Sequence, residues 1–253
     1  MLPIKMIVTD LDGTLLCEHK MVSELSKKAL KRCKDSGIKI VYATGRGANS
    51  KRVVPFELFD GYIINNGAVA YAGNEIIYKK QIHHETIRPL LLACDKHGIK
   101  TASQFDGVHY SNFDVIKEWS EEKKFEMVDF AKHEKPTEKM YAIIRNAEDA
   151  KLIESNLHDD LYFSVSRDNF AMIMHKDATK SKAVKALSDH WNIAQSEIIA
   201  FGDDSNDIDL LLYAGIGIAM DNSIDEVKAV ADQICPNNDE DGIAIWIEEN
   251  IFT

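Results

Sequence analysis

Two aspartates stand two residues apart in Val8-Thr9-Asp10-Leu11-Asp12-Gly13-Thr14, directly after an apolar run. Carboxylates so placed suit either a solvated turn or a site that needs negative charge. Three further segments carry polar side chains of similar chemistry: Thr44-Gly45-Arg46, Lys180, and Gly202-Asp203-Asp204-Ser205-Asn206-Asp207. Each has a bland reading of its own: an Asx turn, a helix entry, a solvated lysine, a helix N-cap. Like charges about 4 Å apart at an effective dielectric of about 20 repel by roughly 4 kcal/mol. Asp10, Asp12, Asp203 and Asp207 therefore need a compensating cation if they gather in one place. An all-oxygen set of hard ligands suits Mg²⁺, which keeps several waters and shares its shell with phosphate. Lys180 adds a point charge for a phosphate oxygen, and Thr44 and Asn206 add hydrogen-bond donors. A calcium-binding EF-hand loop does not fit, because Gly13 follows Asp10 too soon and Met21 stands where the bidentate Glu belongs.

The elements that would have to bring these segments together can be read from periodicity. Residues 4–9 form a short buried strand that ends at the Gly13 turn. Leu25, Ala29, Leu30 and Cys33 recur at helical spacing between Ser23, placed as a cap, and Gly37, placed as a stop. A second strand (38–43) runs into Thr44-Gly45-Arg46, a polar-faced helix covers about 48–58, and a third strand (61–64) breaks at Asn65-Asn66-Gly67. Such alternation predicts a parallel sheet with helical crossovers. Between 83 and 176 the rhythm changes to a helix (87–97), two strands around Asp106-Gly107, a helix (114–124), a strand (139–145), a helix (148–158) and strands at 161–167 and 170–175. The charge-rich stretch 118–135 reads there as a solvated helix face and loop. The alternation then returns: a helix with Ala183, Val184, Leu187 and Trp191 on one stripe, a strand (198–201), a helix (206–214), a strand (216–219), a helix (223–231), a short strand near Gln233 and a helix (242–250). The expected architecture is an α/β fold: a Rossmann-like parallel sheet core flanked by helices (1–82 and 177–253), with an inserted α+β cap domain at 83–176. Every polar segment named above then falls at the carboxyl end of a strand or the start of a helix, where open α/β sheets hold their ligands.

Bulk composition narrows the function classes. The chain has 253 residues, 45% hydrophobic, enough for one large domain with a smaller one attached. A formal net charge of −11 with no offsetting basic stripe argues against broad nucleic-acid binding and against an anionic membrane surface. The four cysteines (Cys17, Cys33, Cys94, Cys235) lie far apart without a CxxC, so reduced buried thiols are expected. With no signal-peptide pattern and no apolar run near 18 residues, the expected location is cytoplasmic.

In order along the chain, Asp10-Leu11-Asp12-Gly13-Thr14, Thr44-Gly45-Arg46, Lys180 and Gly202 to Asp207 resemble the four motifs of the haloacid dehalogenase (HAD) superfamily of phosphotransferases. Asn66-Gly67-Ala68, Gly217-Ile218-Ala219-Met220-Asp221-Asn222 and Asp241-Gly242 are similar to its Cof-type branch of sugar-phosphatase-like proteins, which carries an α/β cap between the second and third motifs. The resemblance implies a Mg²⁺-dependent phosphatase acting on a small phosphorylated metabolite through an aspartyl-phosphate on Asp10. It makes Asp12 the general acid and base, and it places Mg²⁺ on the Asp10 side chain, the Asp12 main-chain carbonyl and Asp203. Asp207 joins that acidic set and orients Lys180 or a metal-bound water, while Thr44, Gly45, Lys180 and Asn206 hold the phosphoryl group. The chain departs from the family pattern at Asp177, Ser181 and Asp221, where glycines are usual, and the third-motif lysine is assigned to Lys180 over Lys182.

Asp12 discriminates within the superfamily, because the transport ATPases of the same core carry threonine there and a hydrolase needs a base for water. The alternatives are a phosphomutase or phosphotransferase on a sugar phosphate and, in a different class, a phosphate-binding regulatory protein without turnover. A receiver domain, which also combines acids, Mg²⁺ and lysine, is about half as long. Arg46 and Asn66 are candidates for contacting the substrate, as are Asp106, His109, Arg145 and Arg167 in a cap expected to close as a lid. Substrate identity and oligomeric state are left open by the sequence.

Overall fold

The computed structural model describes residues 4–118, 124–165 and 169–252. The chain divides into two compact units, Met1–Lys79 with Thr179–Thr253, and Lys80–Ala178. The inserted unit thus starts slightly before and ends slightly after the 83–176 span expected from the sequence. The extra residues are tied into it by the Lys80–Asp177 ion pair at 3.1 Å and by a bridge from Ile82 to Thr137.

The first unit opens with β1 (Met6–Thr9), all four residues of which are buried. Helix α1 (Glu24–Asp35) follows, its Ser23 side chain accepting the Ser26 N–H and Gly37 leaving it at φ +88°. Strand β2 (Lys39–Ala43) comes next. The helix expected over 48–58 is instead two single 3₁₀ turns, Ala48–Arg52 and Phe56–Leu58. Pro55 sits between them and can neither donate a backbone N–H nor tolerate the preceding helical turn. Strand β3 (Gly61–Ile64) ends at Asn65 and Asn66, both left-handed at φ +52°, and the chain doubles back as β4 (Val69–Ala72) and β5 (Glu75–Lys79). That hairpin is absent from the periodicity reading.

The second unit contains α2 (His84–Lys96), β6 (Thr101–Phe105), β7 (Val108–Ser111), α3 (Val115–Glu118), β8 (Phe125–Met127), β9 (Lys139–Ile143), α4 (Ala147–Ser155), β10 (Leu161–Val165) and β11 (Phe170–His175). Asp106 and Gly107, at φ +50° and +73°, make the tight turn between β6 and β7 that two left-handed residues favour. Strand β8 lies inside the stretch expected to be helix face and loop; residues 119–123 of the helix expected at 114–124 are outside the described residues. Among the described residues these strands form a six-stranded sheet in the order β10-β11-β9-β6-β7-β8, antiparallel except for β7 against β8.

The chain returns to the first unit with α5 (Lys180–His190), β12 (Ile198–Gly202), α6 (Ile208–Tyr213), β13 (Ile216–Met220), α7 (Asp225–Val230), β14 (Gln233–Cys235) and α8 (Gly242–Asn250). The eight-stranded sheet runs β14-β13-β12-β1-β2-β3-β4-β5, parallel from β14 to β3 and antiparallel over β4 and β5. Strand β1 sits mid-sheet, with β12 on one side and β2 on the other, so loops from both ends of the chain leave the same edge. Met6 and Val8 pack with Val41, Ile198, Ala200, Val184 and Leu187 in the core beneath. Burial on both faces is why these parallel strands read as continuous apolar runs. No helix among the described residues is long and apolar enough to cross a membrane.

Candidate active site

The loop after β1 begins at Asp10, whose N–H is fixed at 3.0 Å by the Phe201 carbonyl of the neighbouring strand. At Gly13 the backbone takes φ +85°, and a Cβ there would lie 2.3 Å from Asp203 Oδ2, so only glycine lets the loops after β1 and β12 approach so closely. Thr14 Oγ1 donates to Asp203 Oδ1 at 2.7 Å and completes the join. Across the sheet, Gly67 at φ +101° packs against the Thr179 carbonyl, which sets the first turn of α5 against the end of β3.

Lys180 is the first residue of α5 and is 1% exposed. Its Nζ donates to Asp10 Oδ1 at 2.7 Å and to Asp207 Oδ1 at 2.5 Å. The other Asp207 oxygen accepts the N–H groups of Asp203 and Asp204 at 3.0 and 3.2 Å. Asp207 thus fixes the lysine with one oxygen and the β12 loop with the other. Lys182, two residues further along the helix, is exposed.

Charge is crowded here. Burial above all, together with Asp207 and Asp203, pushes the Asp10 carboxyl well above the usual carboxylate range, against the pull of Lys180. Burial, offset only in part by the Thr14 bond, pushes Asp203 up to about 6. Burial disfavours the Lys180 ammonium, but Asp10 and Asp207 outweigh it and hold that group above the ordinary lysine range. Three carboxylates share one ammonium in a buried space, which is the condition under which a bound cation relieves repulsion. Asp10, Asp203 and Asp207 each offer an oxygen, all within 4.8 Å of one another. That donor set fits a hard divalent cation.

The Asp12 carboxylate lies outside that set. It takes Arg46 Nε at 2.6 Å and Arg46 Nη2 at 2.8 Å in a bidentate pair, and Lys20 Nζ at 2.9 Å. Partial burial would raise its pKa, but the Arg46 and Lys20 hydrogen bonds outweigh that and lower it. Thr44 Oγ1 accepts the Arg46 N–H at 3.1 Å, and the Thr44 carbonyl accepts the Asn66 N–H at 3.0 Å. A Cβ on Gly45 would lie 2.7 Å from Asn66 Oδ1, and Asn206 Nδ2 donates to that same oxygen at 3.1 Å. Thr44, Gly45, Arg46, Asn66 and Asn206 therefore meet beside the acids. Lys20 and Thr14 are contacts without a sequence signal: Thr14 lies within a motif but is neutral, and Lys20 lies outside every motif.

Other sequence candidates are engaged elsewhere. Arg145 donates through Nε and Nη2 to Asp149 and also reaches the His97 and Gly98 carbonyls, so it ties α4 to the end of α2. Asp106 forms the β6–β7 turn, His109 is buried in β7, and Arg167 lies outside the described residues. Asp177 pairs with Lys80, and Asp221 lies 3.4 Å from Lys228.

Residues 7–247 match the family model of haloacid dehalogenase-like hydrolases. The chain belongs to that family. A phosphatase of Haemophilus influenzae, its assignment provisional, is 30% identical over 97% of both chains. The 5-amino-6-(5-phospho-D-ribitylamino)uracil phosphatase YitU of Bacillus subtilis is 28% identical over 96% of both. Among solved structures, the HAD subclass IIB sugar phosphatase BT4131 superposes with a TM-score of 0.85 at 28% identity, covering 97% of this chain and 98% of its own. The chain is accordingly a HAD phosphatase of the Cof type, an enzyme of the phosphoryl-transfer superfamily that acts on small phosphorylated substrates.

Proposed function

We propose that this chain is a Mg²⁺-dependent cytoplasmic phosphatase that hydrolyses a phosphorylated metabolite, a sugar phosphate or similar phosphomonoester, through an aspartyl-phosphate on Asp10. The observation that carries this reading is the buried Lys180, which joins Asp10 to Asp207 beside Asp203, with Asp12 held separately by Arg46. The substrates of YitU and BT4131, a phosphorylated ribityl compound and sugar phosphates, support an organic phosphate of that size.

On this reading an Asp10 carboxylate oxygen attacks phosphorus, and the bond from phosphorus to the leaving oxygen breaks. The Asp12 carboxyl gives its proton to that oxygen and the alcohol departs. In the second half the Asp12 carboxylate takes a proton from water, whose oxygen attacks the phosphoryl group and expels Asp10. Arg46 and Lys20 favour the ionised Asp12 that this half needs. Lys180, Thr44 and Asn206 hold phosphoryl oxygens, and Gly45 keeps the backbone close enough to join them. Mg²⁺, held by the Asp10 and Asp203 carboxylates and the Asp12 carbonyl with Asp207 behind them, would supply charge neutralisation of the phosphoryl group.

Phosphate release from p-nitrophenyl phosphate and from hexose and pentose phosphates is the direct test. Asp10→Asn is expected to lower release by about a thousandfold or more while the circular dichroism and melting curve stay those of a folded protein. EDTA is expected to stop release and Mg²⁺ to restore it. Full activity in Asp10→Asn would sink the nucleophile, and conversion of a sugar phosphate to its positional isomer with little free phosphate would replace hydrolysis by a mutase reaction.

A further inference from the structure

Gly13 takes φ +85° and has no side chain to anchor it, yet it stands between Asp12 and Thr14 in the loop after β1. A backbone that glycine leaves permissive must be fixed from outside if its neighbours are to hold a set geometry. The contact comes from the loop after β13. Asn222 Nδ2 donates to the Gly13 carbonyl at 2.7 Å. In the sheet β13 lies beyond β12 from β1, so Asn222 reaches past one loop to hold the next.

The two residues that follow grip the loop it passes. The buried Ser223 hydroxyl donates to the Gly202 carbonyl at 3.2 Å, and the Ile224 N–H donates to the Asp203 carbonyl at 3.2 Å. Residues 222–224 therefore hold Gly13 on one acid-bearing loop and Gly202 and Asp203 on the other. The Asn222 amide is itself oriented: its Oδ1 accepts the Asn238 N–H at 3.1 Å, which leaves Nδ2 turned to Gly13. Asn238 in turn donates through Nδ2 to the Leu16 carbonyl at 2.8 Å. Asn222 is exposed, and a neutral hydrogen bond contributes only about 0.5–1.5 kcal/mol to a fold. Its consequence for geometry is larger than its consequence for stability.

We propose that Asn222 is a positioning residue for the cation site: by pinning the Gly13 carbonyl it restricts rotation about the Gly13 backbone and so fixes the Asp12 main-chain carbonyl relative to Asp203. The inference rests on the Mg²⁺ reading above and adds a residue to it. Mg²⁺ demands near-ideal octahedral geometry, so a backbone ligand that can turn away weakens the whole set. Contacts behind metal ligands typically carry 10–100-fold in affinity. Thr14 holds the Asp203 side chain, and Asn222 holds the backbone from which Thr14 and Asp12 extend.

The test reads the site without turnover: Mn²⁺ binding to the full-length protein, followed by electron paramagnetic resonance of the free ion, with Mg²⁺ as competitor. Melting in EDTA reads the fold separately. Asn222→Ala removes both bonds of the amide. Asn222→Asp keeps the acceptor for the Asn238 N–H and replaces the donor to Gly13 by an oxygen. Its added negative charge would by itself tighten a cation, so charge and positioning predict opposite signs. The expected result is a Kd for Mn²⁺ raised about tenfold or more in both variants. Melting in EDTA should stay within about 4 °C of wild type, as the loss of about 1 kcal/mol implies. That result supports the role whether or not phosphate is released, so failure of the phosphatase reading shows separately, in the ester assay. An unchanged Kd in Asn222→Ala, tighter binding in Asn222→Asp, or a lower melting temperature in EDTA with Mn²⁺ affinity intact would overturn it. Wild type that binds no Mn²⁺ would sink the cation reading and the positioning role together.

Discussion

Asp203 is positioned by two neighbours from the opposite end of the chain. Gly13 leaves the space its carboxylate fills, and Thr14 Oγ1 donates to Oδ1 at 2.7 Å. A hydrogen bond behind a metal-ligating carboxylate fixes its orientation, and losing such a partner typically costs 10–100-fold in metal affinity or activity. Thr14→Val keeps the shape of this buried side chain and removes only the donor. The expected outcome is a rise of about 10–100-fold in the Mg²⁺ concentration that gives half-maximal phosphate release; an unchanged titration would show that Asp203 is held well enough without Thr14. At this scale residue types were readable where a charge must be present, as at Asp10, Asp203 and Lys180. Support from neutral or distant side chains was not. Lys20 reaches Asp12 only because a left-handed residue in a five-residue turn aims it there, and its isolated position in the sequence gives no sign of that.

Elements with both faces buried left a clear trace in the sequence, and edge elements did not. Strands β1 and β12 are buried throughout, so an apolar run was enough to find them. Strand β5 has exposed and half-buried residues only, and β8 carries a charged residue between two others that are not buried, so neither shows a clean alternation. The segment after β2 was misread because its helical spacing is interrupted by Pro55. The second unit contains an element-level contact with a measurable consequence. Asp149, in the first turn of α4, accepts from the Arg145 N–H, Nε and Nη2 at 2.9, 2.8 and 2.8 Å. Those hydrogen bonds hold its carboxyl below the usual carboxylate range, against the effect of burial. A depressed folded-state pKa means the stabilisation is complete above the unfolded value of about 3.9 and disappears as pH falls through the folded value. Asp149→Asn is therefore expected to cost about 1.5–3 kcal/mol at pH 7. In urea titrations the gap between wild type and variant should close as pH drops below about 4, and a gap that persists in acid would show that packing, not charge, is what Asp149 supplies.

Across the whole molecule the organising fact is that β1 pairs with β12, although Asp10 and Lys180 are separated by 170 positions. Strands from either side of that interval in the sequence pair within the first unit's sheet, joining acids from both ends of the chain at one edge. The result is a native state that gathers like charges which the unfolded chain keeps apart. Burial raises the pKa of Asp203 to about 6, so the folded protein holds that proton more tightly than the unfolded chain does, and having the group ionised at pH 7 detracts from stability. A cation bound by the native cluster and not by the unfolded chain reverses the balance, adding about 2.7 kcal/mol at a hundredfold excess over Kd. For a chain of this size each kcal/mol moves Tm by about 2–4 °C, so saturating Mg²⁺ should raise it by roughly 5–10 °C over the EDTA-treated protein. Asp203→Asn should melt no lower than wild type in EDTA, since it removes one crowded charge, and it should lose most of the Mg²⁺ shift. Calorimetry with and without the ion checks both halves at once. A variant that keeps the full shift would place the cation elsewhere, and one that melts far below wild type in EDTA would mean that the Asp203 carboxylate stabilises the fold through contacts that outweigh its repulsion.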